Sequence, residues 1–263
     1  MTLWSLRPDE RANNRYHTAV GPQHCVGPDG GRFVMGGISM ALAVEAAQTA
    51  LDMSLLWIEG QFHAPAAPGA TLTVDVEIPV RGRRAAQASV TVRDGNRTIL
   101  AALAGLGVKG ESMTQSFIPP PACLSVRDAE PRPPEPTNAP GGLLDLVEQR
   151  LALIDEDRGR SQVWRRLPDF GDAPPALLAV LADFVGGGHS RTHRCRSLDN
   201  MLRIHAQAAT DWVLCDTQLL SFRETAFHGR MHLFAEDGTL LATAEQTALF
   251  PSPARQAQPF TAR

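Results

Sequence analysis

Two segments of this chain are apolar around their whole circumference, so each must be covered by protein on most sides. The first follows Gly36-Gly37 and reads ISMALAVEAAQTAL, and the second spans residues 175–184. A surface helix carries a polar face, whereas a helix without one is buried in a core. A sheet wrapped around each helix satisfies this constraint.

Each predicted helix is followed by segments with β-strand patterning. The strands are expected near residues 70–80, 84–93 and 97–108 in the first half, and near 195–206, 211–224, 227–235 and 239–250 in the second. Asp94-Gly95-Asn96 and Asp237-Gly238 supply equivalent hairpin turns. The repeated order predicts an internal duplication of an α+β unit.

A proline-rich segment separates the two halves. Eight of the twenty prolines of the chain lie between residues 119 and 140, and proline is excluded from the interior of helices and sheets. We therefore expect an N-terminal domain at 1–110, a linker at 111–142 and a C-terminal domain at 143–263.

Composition excludes several classes of protein. The net charge is −3 with scattered basic residues, which argues against a nucleic-acid partner. The four cysteines form no C-x-x-C pair, and His189 and His193 have no nearby carboxylate pattern, so no metal or other cofactor is expected. The sequence has no signal-peptide pattern and no apolar run of membrane-spanning length. It predicts a soluble, cytoplasmic protein.

Asp183 is the residue that stands out against this apolar background. It ends the run ALLAVLA and precedes FVGGG. A carboxylate at the edge of a core is costly unless it has bonding partners or a functional role. Asp is also unfavourable at the C-terminal end of a helix, because it repels the negative end of the dipole.

Several strings resemble the acyl-CoA thioesterase II (TesB-like) family, whose fold is a double hotdog. They are GGRFVMGGISMALAVEAAQ, SLLWIEGQFHAPAAPG and VRGRRAAQASVTVRDG in the first half, and LLDLVEQR, VWRRLPD, ALLAVLADF, RSLDNMLRIH and AEDGTLLATAEQTALF in the second. Their order and spacing cover most of the chain outside the linker and the extreme termini. The resemblance implies two tandem hotdog units, each an antiparallel sheet around a central helix, and hydrolysis of an acyl-CoA or a related acyl thioester.

The resemblance also implies a set of residues that hold a water molecule. Carried over position by position, they fall on Asp183, on Ser197 in Ser-Leu-Asp and on Gln246 in Ala-Glu-Gln. The family usually has His after Leu-Asp, followed by a strand with tryptophan, whereas this chain has Asn200-Met201-Leu202-Arg203. This departure implies a different acyl pocket.

These residue types suit thioester hydrolysis. The Asp183 carboxylate can act as general base toward a water that serine and glutamine side chains orient. Backbone N–H groups at a helix start can stabilise the oxyanion, and Gly36 and Gly37 are the candidates. The guanidinium groups of Arg81, Arg83 and Arg84 are candidates for binding the coenzyme A phosphates, or else they belong to a solvated hairpin.

Alignment of the two halves predicts one composite site per chain. Ala47 aligns with Asp183, and Gly105 aligns with Gln246, so the first half lacks two of the three water-holding groups. The second half has Pro174-Pro175 where the first has Gly36-Gly37, and proline has no N–H to donate.

Other functions remain open at this point. Asp183 and His189 could form a hydratase or dehydratase pair, although FVGGG lacks the Asn-Pro that such sites resemble. A double hotdog with an altered pocket could also bind acyl-CoA without hydrolysing it. Glu45 is a rival carboxylate or a paired buried charge. The sequence leaves open coenzyme A or a carrier protein as the thiol, and a homo-oligomer of double-hotdog subunits.

Overall fold

A single antiparallel sheet runs through both halves of the chain. The computed structural model describes residues 3–108, 115–132, 138–168, 170, 172–192 and 195–251. The main sheet has 14 strands, and a separate pair of short strands lies beside it. No helix within these ranges is both long and apolar enough to cross a membrane.

The elements follow one another in a repeated pattern. The helices are α1 (Gly36–Leu51), α2 (Leu143–Leu146) and α3 (Pro175–Ala182), and 3-10 turns span Pro22–His24, Val185–Gly188 and Ser190–Thr192. The strands of the first half are β1 (Arg7–Pro8), β2 (Arg15–Ala19), β3 (Cys25–Val26), β4 (Phe33–Val34), β5 (Ser54–Phe62), β6 (Thr71–Arg81), β7 (Ala85–Asp94) and β8 (Arg97–Gly107). Those that follow are β9 (Glu130–Pro131), β10 (Glu148–Asp155), β11 (Arg160–Arg166), β12 (Arg196–Ser197), β13 (Asp199–Ile204), β14 (Val213–Phe222), β15 (Ala226–Ala235) and β16 (Leu240–Leu249).

The strand order shows the same topology twice. The order is β1-β2-β6-β7-β8-β5-β13-β16-β15-β14-β11-β10-β9, with β12 paired to β16. In each half, the strand that follows the central helix pairs with the last strand of the meander, β5 with β8 and β13 with β16. The halves then join because β5 pairs antiparallel with β13. This is the double hotdog fold that the sequence predicts.

The two central helices are buried, as their composition requires. All eight residues of α3 are buried, and eleven of the sixteen in α1 are buried. The helices also pack against each other. The contact is closest to the backbone at Gly37, where an added Cβ would lie 2.8 Å from the carbonyl oxygen of Val180. The helices therefore meet through their backbones, with the start of α1 against the end of α3.

The described parts of the proline-rich segment pack on both halves. Trp164 donates to the carbonyl of Leu124, and the Gly27 N–H donates to the Asn138 side chain. These described parts stay out of the sheet interior, and they reach the sheet only at β9, where Pro131 lies in a two-residue strand at the edge. An edge strand tolerates proline because it has an unpaired side. Residues 109–114 and 133–137 lie outside the described ranges, and the domain boundaries at 110 and 142 stay a prediction.

Gly105 lies where a side chain would collide with an indole ring. It pairs with Trp57 across β5 and β8, and a Cβ added to it would lie 2.2 Å from Trp57 Nε1. Gly105 lies on the face of β8 that carries the exposed Leu103, whereas Gln246 faces inward on β16, so the predicted alignment of these two positions is wrong. Matching the irregularity in each hairpin aligns the buried Ala104 with Gln246 instead, and the first half therefore still has no polar side chain at that position.

We expect Gly105→Ala to destabilise the fold by about 1–3 kcal/mol, because Trp57 must leave its preferred position. Gly107→Ala in the same strand is the matched control, since its Cβ would meet the flexible Leu56 side chain at 3.2 Å. Urea denaturation of both variants measures the difference. Equal stability of the two variants would contradict this account of position 105.

Candidate active site

Asp183 lies at the C-terminal end of α3, directly against the start of α1. Its backbone N–H bonds to the carbonyl of Val180, which closes the last turn of α3. The next residues turn away in the 3-10 turn Val185–Gly188. The carboxylate thus lies at the junction of the two halves, as the prediction of one composite site requires.

Ser197 and Gln246 both reach this carboxylate, although they come from different strands. Gln246 Nε2 donates to Asp183 Oδ1 at 2.6 Å and to Ser197 Oγ at 3.1 Å. Ser197 Oγ in turn donates to Asp183 Oδ1 at 3.3 Å. The three side chains predicted to hold a water therefore form one hydrogen-bonded cluster. Their catalytic roles stay a prediction.

A local irregularity in the strands brings Ser197 into position. The Asp199 carboxylate accepts a hydrogen bond from the backbone N–H of Thr247 at 2.7 Å. The carboxylate thereby acts as the acceptor for the β16 backbone between β12 and β13, the two short strands that pair with β16. The Ser-Leu-Asp string thus combines a serine at the site with an aspartate that binds the backbone of the neighbouring strand.

The first half contributes a backbone donor to the cluster. The N–H of Gly37 donates to Asp183 Oδ2 at 2.8 Å. Asp183 is unfavourable for the C-terminal end of its own helix, but it faces the positive end of α1. This bond differs from the free oxyanion donor predicted for Gly37, because the N–H already has a carboxylate partner.

Gly36 has a different environment. No hydrogen bond joins its N–H to any residue in the described ranges. A Cβ here would lie 2.8 Å from Phe62 Cε1 and 3.0 Å from Asp183 Oδ2. Only glycine lets these two side chains approach the helix start so closely. The oxyanion role of Gly36 stays a prediction.

Burial controls the ionisation of Asp183. Desolvation raises its pKa to about 6, while the hydrogen bonds from Gly37, Gln246 and Ser197 and the nearby amide of Asn200 oppose the shift. Asp183 is thus protonated in mildly acidic solution and ionised at neutral pH. A carboxylate with such a pKa is suited to accept a proton from water.

The three arginines predicted for coenzyme A lie far from this cluster. Arg81 donates to the carbonyl of Leu51, the last residue of α1, at 3.3 Å, and Arg83 and Arg84 are exposed in the hairpin after β6. A helix of this length spans about 24 Å, so Arg81 and Gly36 lie near opposite ends of α1. Phosphate binding by these arginines stays a prediction.

The rival groups have other partners. The Trp4 indole N–H donates to the Glu45 carboxylate, which agrees with a paired, partly buried charge. His189 accepts from the Arg191 N–H and packs edge-on against Phe222, and it is not among the residues that bond to Asp183. His193 lies outside the described ranges. Within those ranges no group of His, Cys, Asp or Glu could hold a metal ion.

Asn200 is a residue whose part in the site the sequence analysis missed. It is completely buried on β13, and its side chain lowers the pKa of Asp183. The sequence contained a signal, because Asn200 alternates with Leu202 and therefore faces the core. A polar side chain at an inward strand position requires a partner.

The fold and this cluster define a double-hotdog protein with a single carboxylate site between its halves. The family model for the acyl-CoA thioesterase N-terminal domain matches residues 27–107, and that for the C-terminal domain matches residues 120–250. These matches cover most of the chain. The chain belongs to the acyl-CoA thioesterase family and is an enzyme of that class.

Solved structures show the same architecture. A proposed thioesterase from Novosphingobium aromaticivorans is 30% identical, with a TM-score of 0.86 over 94% of this chain and 98% of the other. Acyl-CoA thioesterase II TesB2 from Mycobacterium marinum is 19% identical, with a TM-score of 0.70 over 98% of each chain. A proposed thioesterase II from Thermobifida fusca is 16% identical, with a TM-score of 0.80 over 93% of this chain and 96% of the other. The last two likenesses show the fold alone. No curated protein sequence matches this chain.

The raised pKa of Asp183 predicts a pH-dependent stability. The folded state binds this proton more tightly than the unfolded chain, whose Asp has a pKa near 3.8. The stability that this provides is present below about pH 4 and is lost as the pH rises to about 6. Asp183→Asn, which cannot ionise, should therefore gain stability relative to the wild type by roughly 3 kcal/mol between pH 4 and pH 7. Thermal denaturation across this range measures the gain, and a difference that does not change with pH would contradict it.

Proposed function

We propose that the chain hydrolyses acyl-CoA thioesters with a water activated by Asp183. The observation that carries this proposal is the Asp183 carboxylate itself, held by Ser197 and Gln246 with a pKa of about 6. Membership of the acyl-CoA thioesterase family supports the same reaction.

In the proposed reaction, the water oxygen bonds to the thioester carbonyl carbon while Asp183 accepts a proton from that water. The carbonyl oxygen becomes an oxyanion, which the N–H of Gly36, unbonded to any described residue, is suited to stabilise. The carbon–sulfur bond then breaks, and the proton held by Asp183 passes to the thiolate of coenzyme A. The products are a carboxylic acid and the free thiol.

The polar partners of Asp183 suit this role. Gln246 is only 3% exposed and carries no charge, so it fixes the carboxylate without competing for the proton. Ser197 bonds to the same carboxylate oxygen, Oδ1. With two donors directed at Oδ1, the position of the base toward a bound water is fixed, which lowers the entropic cost of reaching the transition state.

A decisive test replaces the base. We expect Asp183→Asn to lower kcat for acyl-CoA hydrolysis at least about a hundredfold, because general-base catalysis contributes about 10²–10⁴-fold. Release of free thiol from a panel of acyl-CoAs measures turnover. Glu45→Gln is the matched control, since Glu45 is the other partly buried carboxylate on the central helices and should be dispensable. Unchanged turnover in Asp183→Asn would overturn the assignment, and binding without hydrolysis in the wild type would favour a non-catalytic role.

The pH profile provides a separate test of the same base. Only ionised Asp183 can accept a proton, so kcat/KM should rise about tenfold per pH unit below pH 6 and level off above it. Hydrolysis rates measured from pH 4.5 to 8 at fixed ionic strength show this acidic limb of the kcat/KM profile. A profile that is flat through pH 6, with the fold intact, would exclude Asp183 as the base.

A further inference from the structure

Asn200 is the most completely buried polar side chain in the described ranges, and its amide group lacks hydrogen-bond partners there. No part of the residue is exposed. Neither Oδ1 nor Nδ2 bonds to a described group. An unpaired amide in a core carries a free-energy cost, so such a group usually marks a functional constraint.

Strand geometry directs Asn200 toward the candidate site. On β13, Asn200 and Leu202 face inward while Arg203 is exposed. The pairing of Met201 with Glu245 places Gln246 next to Asn200 on the neighbouring strand. Because side chains alternate along strands, Asn200 and Gln246 face the same side of the sheet. That side carries the cluster around Asp183.

The Asp183 carboxylate has capacity for another donor. Its Oδ1 accepts two hydrogen bonds, from Gln246 and Ser197, whereas its Oδ2 accepts one from Gly37. A carboxylate offers about four acceptor positions. The amide nitrogen of Asn200, next to Gln246 in the sheet, is a buried donor that has no hydrogen-bond partner among the described residues.

We propose that Asn200 is a positioning residue whose Nδ2–H is directed at the Asp183 carboxylate and helps to keep it ionised inside the protein. The side chain lowers the pKa of Asp183, against the rise that desolvation causes. An amide supplies a donor without a charge of its own. Asn200 therefore favours the basic form of Asp183 at every pH without adding a second titrating group.

Other charged groups on the surrounding elements do not account for this effect. They are Glu45 on α1, Glu59 on β5, Arg165 on β11, Asp199 and Arg203 on β13, Arg196 on β12, Glu245 on β16, and His189 and Arg191 in the segment after α3. None of them is among the causes that shift the pKa of Asp183. Glu59, Arg203 and Glu245 are exposed on their strands, and Asp199 is bonded to the Thr247 N–H.

The catalytic consequence of this proposal rests on the proposed function, but the ionisation of Asp183 can be measured without substrate. Titration by ¹³C NMR of the carboxyl-labelled full chain reports each Asp directly, and Asp183→Asn assigns the signal. Asn200→Leu removes the amide, and we expect the pKa of Asp183 to rise by about one unit. Asn200→Asp places a second carboxyl group beside the first and should raise it further.

Two further variants keep this test decisive. Leu202→Val alters the next inward residue of the same strand and should leave the pKa of Asp183 unchanged. Asn200→Ala serves if the larger leucine prevents folding, as checked by circular dichroism. An unchanged pKa in a folded variant without the amide would overturn the proposal.

Turnover separates this proposal from the proposed function. With acyl-CoA as substrate, the acidic limb of the kcat/KM profile should move upward by the same one unit in Asn200→Leu. Loss of activity at all pH values with an unmoved limb and an unmoved NMR pKa would indicate a purely structural role and overturn the proposal. A moved NMR pKa in a protein that hydrolyses no acyl-CoA would support the role of Asn200 and refute the proposed function alone.

Discussion

The hydrogen bond from the Gly37 N–H to Asp183 Oδ2 is the interaction on which the site depends. It joins the start of one central helix to the end of the other, and thus one half of the chain to its duplicate. A carboxylate at the end of α3 would be repelled by its own helix dipole. The opposite dipole of α1 compensates for this repulsion. Tight approach of the two helices requires glycine at position 37, where a Cβ would meet the Val180 backbone.

Much of the fold could be predicted from the sequence because its constraint is one of composition. Helices without a polar face need cover on all sides, and the turns at Gly95 and Gly238 have the positive φ that glycine allows. The joining of the halves through β5 and β13 was less accessible, because pairing between distant strands leaves no local signal. The edge strand at Pro131 shows that proline excludes a segment from the interior of a sheet but not from its edge.

The site could be predicted from the sequence in its side chains but not in all of its contacts. Asp183, Ser197 and Gln246 were located by resemblance, and the structure brings all three into contact. The Gly37 N–H was expected to meet substrate, yet it bonds to the Asp183 carboxylate. A sequence specifies which residues have N–H groups but not where a helix start is aimed, which depends on how two helices pack. Asn200 was visible as a departure from the family pattern and through its alternation with Leu202, but its complete burial depends on the neighbouring strands.

The two strand pairs at the centre of the sheet bear on how the halves came to differ. Ile58 and Ala104 lie opposite each other in the first half, at the places that Asn200 and Gln246 occupy in the second. All four are buried, so an apolar pair in one copy corresponds to a polar pair in the other. A single substitution that introduced an amide at either apolar position would bury it without its partner. The asymmetry between the halves is therefore difficult to reverse one residue at a time.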